Sequence, residues 1–140
     1  MKLSEYTRTL PMLALLGFVI TGISPEEFQA KCIEALGVIR EGHSETPIVC
    51  ISPTYTRRTK STKSDYTFDE FREAVAGVVV AMKEKGDKNV YLCRGEEITS
   101  EDNLKVDAPR DMTHFSETGA TMMAGAMVEW IQANVEGLGE

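Results

Sequence analysis

The chain has 140 residues, 42% of them hydrophobic and 26% charged, the proportions of a single soluble globular domain with a sizeable core. A formal charge of -7, from 22 acidic against 15 basic residues, argues against a nucleic-acid surface or an anionic membrane as the main partner. The three cysteines, Cys32, Cys50 and Cys93, form no Cys-x-x-Cys pair, and two histidines are too few for a His-rich metal site, so neither a disulfide framework nor a metal centre is expected.

The first apolar run is Leu10 to Ile20 (LPMLALLGFVI), shorter than the ~20 residues a membrane span needs. Met1 to Thr9 carries Glu5 beside Lys2 and Arg8, and Thr21-Gly22-Ile23 makes a poor cleavage site. The run therefore reads as a buried strand ending near Gly17 rather than a secretion signal. With its thiols reduced and no leader, the protein is expected in the cytoplasm.

Ser24-Pro25-Glu26-Glu27 is a helix start, with a serine cap, proline at the first helical position and glutamate three residues after the cap. Phe28, Cys32, Ala35, Leu36 and Ile39 follow at helical spacing, and Gly42 is placed to end the helix, leaving His43 exposed. Pro47 to Ile51 is a short unbroken apolar run, as in a strand buried on both faces of a parallel sheet, and Ser52-Pro53 stops it. Thr54 to Tyr66 is a polar loop. Its basic residues, Arg57, Arg58, Lys60 and Lys63, read as a solvated cluster, and Tyr55 and Arg57 as exposed loop residues by default, with the lining of a substrate cleft as the alternative.

Thr67-Phe68-Asp69-Glu70 repeats the capping pattern before a second helix, whose apolar face is Phe71, Val75, Val78, Val79 and Met82 and whose end is Gly86. Asn89 to Cys93 is the next strand, and Glu96 to Arg110 reads as charged and irregular. A last helix starts near Ser116, with Met122, Met123, Met127, Trp130 and Ile131 as its packing residues. This alternation is the βαβ rhythm, which right-handed crossovers wind into a three-layer α/β fold with a parallel sheet. Ligands bind such sheets beyond the carboxyl ends of the strands, so Ser52-Pro53, Arg94-Gly95 and the segment Asp111 to His114 should gather there.

Asp111-Met112-Thr113-His114 carries the chemistry. A carboxylate and an imidazole three residues apart in a tight loop let the carboxylate accept from one ring nitrogen, which leaves the other facing the cleft as a general base. That spacing alone is weak, because a loop aspartate with a histidine near a helix cap is common. Its place directly before a Ser-x-x-Gly helix start, at the end of a βαβ series, favours an active-site pair.

The pattern Asp111-x-x-His114-Phe115-Ser116-x-x-Gly119, with Met123-Ala124 and Trp130-Ile131 behind it, resembles the last conserved block of the SGNH (GDSL-type) hydrolases. The resemblance covers residues 24–136 of a single 1–140 domain and matches the carboxyl-terminal two thirds of that family, with residues 1–23 divergent. It implies a flavodoxin-like α/β/α fold, hydrolysis of small-molecule carboxylic esters by a Ser-His-Asp mechanism, His114 and Asp111 as catalytic residues, and no metal or organic cofactor.

The sequence departs from that family where the nucleophile belongs. No Gly-Asp-Ser occurs in it, and Leu16-Gly17-Phe18-Val19-Ile20, at the place of the Gly-x-Asn-Asp block, keeps the glycine without the asparagine. Three expectations follow: an amino end truncated or replaced relative to a longer hydrolase, a pseudoenzyme, or another serine in the role, for which Ser52 is the candidate. Ser52 is the weakest of these, because a strand-ending serine usually bonds backbone. The alternative to an enzyme is a catalytically inactive α/β domain that binds a ligand or a partner chain. A nucleotide-binding reading is poorer, since Thr21-Gly22-Ile23-Ser24 is a poor phosphate loop. A sheet lacking its first strand would expose an edge, from which self-association is expected.

Overall fold

The computed structural model describes residues 12–14, 22–60, 64–106 and 111–138. Among the described residues three parallel strands form a sheet: β1 (Met12–Ala14), β2 (Ile48–Ile51) and β3 (Val90–Cys93), in the spatial order β1-β2-β3. Met12 pairs with Val49, and Ile48 with Val90. β1 lies inside the apolar run Leu10 to Ile20. The expected strand end near Gly17, and residues 1–11 and 15–21 of the 1–23 stretch expected to be divergent, lie outside the described residues, as do Lys63 and Arg110.

Helix α1 (Pro25–Gly42) begins where Ser24 Oγ accepts the N–H of Glu27 at 3.1 Å, with Pro25 at the first position. Helix α2 (Phe68–Glu84) starts with a reciprocal capping box: Thr67 Oγ1 accepts the Glu70 N–H, and the Glu70 carboxylate accepts the Thr67 N–H. It ends at Gly86, whose φ of 96° lies in the left-handed region that glycine enters without a β-carbon clash. The stretch after β3 is more regular than its composition suggests. Gly95–Ile98 forms a short helix, α3, and Glu101–Asn103 a 3-10 turn capped by Ser100. Helix α4 (Glu117–Asn134) follows, capped by Ser116.

Successive residues of a strand point to opposite faces, and β2, buried at all four positions, divides the core accordingly. Ile48 and Cys50 join Phe28, Leu36, Phe71 and Val78 from α1 and α2 in one cluster. Val49 and Ile51 join Cys93, Met127, Ile131 and Val135 in the other, against α4. Phe28 and Phe71 meet edge-on at 5.5 Å and lock α1 to α2.

All three cysteines are free and buried, and burial pushes the Cys50 thiol up to about 12, which leaves it an unreactive hydrophobe. Two expected packing positions are corrected. Ala35 faces solvent on α1. Met122 is 44% exposed, because the covered stripe of α4 runs through Met123, Met127, Trp130 and Ile131 and Met122 lies about 80° or more around the helix from each of them.

At the amino-terminal end of the sheet, Arg40 of α1 binds Asp87 through two nitrogens at 2.7 and 3.1 Å and donates to the carbonyls of Thr46 and Asn89. It ties the entries of β2 and β3 together. Among the described residues no helix is long and apolar enough to cross a membrane.

Candidate active site

The loop that leaves β2 is bonded residue by residue. Ser52 Oγ accepts the N–H of Gly95 at 3.0 Å and donates to Glu96 Oε2 at 3.2 Å. Arg72 of α2 donates to the carbonyls of Pro53 and Thr54 at 3.0 and 2.8 Å. Thr99 Oγ1 accepts the Tyr55 N–H at 2.9 Å. Thr56 Oγ1 and the Arg57 N–H both donate to the carbonyl of Met112 at 3.0 Å. The carboxyl end of β2 is thereby fastened directly to the segment holding Asp111 and His114, as the topology of a parallel sheet leads one to expect.

On its other side that segment is held by the stretch after α3. Leu104 and Phe115 form an isolated antiparallel bridge. The Lys105 N–H donates to the His114 carbonyl at 3.1 Å, and the Ser116 N–H to the Asn103 carbonyl at 3.0 Å. Asn103, 2% exposed, closes the turn with both ends of its side chain: Oδ1 accepts the Ser100 N–H and Nδ2 donates to the Gly119 carbonyl, each at 2.8 Å.

Between these supports Asp111 and His114 meet. Asp111 Oδ1 lies 2.7 Å from His114 Nδ1 and also accepts the backbone N–H groups of His114 at 3.0 Å and Thr113 at 3.4 Å. Oδ2 faces Lys105 Nζ at 3.7 Å. The backbone N–H of His114 above all, with the ring and the Thr113 N–H adding to it, holds the Asp111 carboxyl down at about 2 against the opposing effect of partial desolvation. The aspartate side chain is 21% exposed and the imidazole 76%. An ionised carboxylate beside Nδ1 keeps the ring proton there, so the exposed Nε2 carries the lone pair.

The spacing of Asp111 and His114 thus corresponds to a real contact, while Ser52 is fully buried with its oxygen shared between Gly95 and Glu96. Tyr55 and Arg57, expected as exposed loop residues, are half-buried and form a network with Glu101. Arg57 Nε donates to Glu101 Oε1 at 2.6 Å and Arg57 Nη1 to the Asp111 carbonyl at 3.4 Å, and the nearby Glu101 pushes the Tyr55 phenol up from its ordinary value. Sequence reasoning passed over this network and Asn103. Apart from the neighbouring Ser100 N–H that Asn103 Oδ1 accepts, their partners lie 16 to 54 residues away, beyond the reach of a local sequence pattern. Among the described residues no group of three or more His, Cys, Asp or Glu side chains could hold a metal ion. The Leu16 to Ile20 stretch lies outside the described residues.

The model of the GDSL-like Lipase/Acylhydrolase family matches residues 14–132. The chain belongs to this family. The solved structure of the salicylyl-acyltransferase SsfX3 from a tetracycline biosynthetic pathway is similar to it, with a TM-score of 0.71 and 24% identity over 89% of this chain and 36% of that one. A crystal structure described as a GDSL-like lipase from Bacteroides ovatus is similar with a TM-score of 0.66 and 20% identity over 87% of this chain and 34% of that one. The GDSL-family chain therefore spans about a third of the length of these two structures. A search of curated proteins gave no match.

Proposed function

We propose that this GDSL-family chain carries the aspartate-histidine half of an acyl-transfer site that acts on small carboxylic esters, in a three-layer, flavodoxin-like α/β/α setting. The contact of Asp111 and His114 at 2.7 Å, on a loop fastened to the carboxyl end of β2, is the observation that carries this reading. In it, His114 Nε2 takes the proton of an attacking hydroxyl as that oxygen bonds the ester carbonyl carbon. The same proton then goes to the departing alcohol when the tetrahedral intermediate collapses. Asp111 keeps the ring in the Nδ1–H tautomer and stabilises the imidazolium between the two transfers.

Ser52 does not fit the nucleophile's part. Its oxygen is buried and already bonded on both sides, so attack would forfeit the bond to Gly95. No Gly-Asp-Ser occurs in these 140 residues, so the hydroxyl that His114 activates is not the serine of such a block within them. Acyl transfer to water and to another alcohol use the same two residues, and SsfX3, an acyltransferase by its description, makes the second acceptor worth testing.

The test is release of p-nitrophenol from a short-chain p-nitrophenyl ester by the 140-residue chain and by His114→Ala. Turnover above buffer that disappears in the variant supports the proposal. Turnover that survives His114→Ala sinks it, and a folded chain with no turnover favours the reading of a non-catalytic domain that binds a ligand or partner.

A further inference from the structure

Arg57 is the one side chain among those described whose hydrogen bonds reach the backbone of Asp111 itself. Its peptide N–H takes the Met112 carbonyl at 3.0 Å and its Nη1 the Asp111 carbonyl at 3.4 Å, while Nε and Nη2 both engage Glu101. A guanidinium is a planar fork with five donors, so one side chain can hold two partners at a fixed angle to one another. Glu101 is a firm partner, since it opens the 3-10 turn that Ser100 and Asn103 close by reciprocal capping. The side chains of Arg57 and Glu101 are 26% and 53% exposed, so their ion pair lies at the surface, while the bond from Arg57 to the Asp111 carbonyl is partly buried.

The need for such a bracket follows from the site's own geometry. The imidazole of His114 is 76% exposed, and an exposed side-chain contact between residues three apart contributes little to holding its own shape. From Phe115 onward the loop is fixed by the bridge to Leu104 and by the Ser116 cap. Asp111 and Met112 lie before that point, and the contacts that fasten their carbonyls come from Thr56 and Arg57.

We propose that Arg57, braced on Glu101, is a positioning residue for the Asp111–His114 pair: by holding the carbonyls of Asp111 and Met112 it keeps the carboxylate in line with Nδ1. This rests on the reading of those two residues as the catalytic pair. The side chain touches neither the imidazole nor a substrate, and acts only through the loop.

The experiment reads the ring, so it needs no turnover. Two-bond proton–nitrogen correlation spectra of the 15N-labelled chain, recorded at about pH 9 where an ordinary imidazole is neutral, report the ratio of Nδ1–H to Nε2–H tautomers of His114. His43, exposed beyond α1, is the internal reference. The wild type is expected to be mainly Nδ1–H. In Arg57→Ala the ratio should fall about fivefold, the scale of one net hydrogen bond, and in Arg57→Lys it should fall less, because the ammonium retains charge without the fork. Arg40→Ala, which breaks an ion pair at the opposite end of the sheet, should leave it unchanged and so separates positioning from general loss of stability.

An unchanged ratio in Arg57→Ala, or a fall no larger than in Arg40→Ala, overturns the proposal while leaving the catalytic pair intact. A wild type without the Nδ1–H preference overturns both. If Arg57→Ala does not fold, Arg57→Lys and Glu101→Gln decide the matter, an unchanged ratio in both overturning the proposal and a fall in either supporting it.

Discussion

Gly119 lies so close beneath Asn103 that a β-carbon built on it would sit 1.9 Å from the Asn103 carbonyl oxygen. That same oxygen accepts the Ser116 N–H, and the Asn103 side chain reaches the Gly119 carbonyl. The glycine three residues into the helix start is therefore a packing requirement: the first turn of α4 is pressed against the turn that sets the level of His114.

Gly119→Ala pits two effects against each other. Alanine in place of glycine favours a helix by about 1 kcal/mol, whereas forcing a methyl group into backbone costs typically about 1–3 kcal/mol or more. At 1.9 Å the neighbour is a carbonyl that cannot rotate away, so the clash dominates. Urea denaturation should show a net loss of stability. A variant as stable as the wild type would mean that the Asn103 turn yields freely.

The Asp111 carboxyl titrates at about 2 instead of 3.8, chiefly through the His114 backbone N–H. A depressed folded-state value means that the carboxylate's contribution to the loop is complete above 3.8 and is lost as the pH falls toward 2. Carbon-13 spectra of the labelled carboxyl group should follow this titration, with the His114 amide shift moving in step. In His114→Ala the ring's bond is gone while the backbone N–H remains, so the midpoint should rise only part of the way. A wild-type midpoint at or above 3.8 contradicts the geometry.

How far the sequence revealed this arrangement depended on the range of the interactions. Ser24-Pro25, Thr67 with Glu70, and Gly86 act within one helical turn, and each marks an observed boundary of α1 or α2. The Asp111-x-x-His114 contact is equally local, and its spacing is what made it visible. Helix α3 escaped notice because Arg94 caps it with no side-chain bond, and a single turn has no periodicity to detect. Met122 shows another limit. Helical spacing tells which residues share a face, but on α4, apolar on more than one side, it does not tell which face the sheet covers. Arg57 lies 44 residues from Glu101 and 54 from Asp111, and only the fold brings them together.

Arg40 and Asp87, with side chains 13% and 11% exposed, form the most enclosed ion pair among the described residues. Burial alone would raise Asp87, but the Arg40 guanidinium and the Asn89 N–H outweigh it and the carboxyl is held below 3.8. Removing one partner of such a pair strands the other, at a cost of about 3–5 kcal/mol. Arg40→Ala should therefore destabilise the chain strongly in urea at neutral pH. The difference from wild type should shrink as the pH falls below 3.8 and Asp87 is neutralised in both. A loss under 1 kcal/mol would show that water reaches the pair.

Ser52 and His114 make opposite predictions that a single pair of variants can separate. Ser52→Ala leaves the buried Gly95 N–H without its acceptor, which costs about 1–3 kcal/mol. It removes nothing the proposed proton transfers use, so ester turnover per folded molecule should be unchanged. His114→Ala removes an imidazole that is 76% exposed and should leave stability within about 0.5 kcal/mol of wild type, while turnover falls to the level of buffer. Denaturant midpoints and p-nitrophenyl ester assays on the same samples distinguish the two patterns. If Ser52→Ala abolished turnover in a folded sample, the attacking hydroxyl would be Ser52 after all, and the loop that buries it would have to open for each reaction.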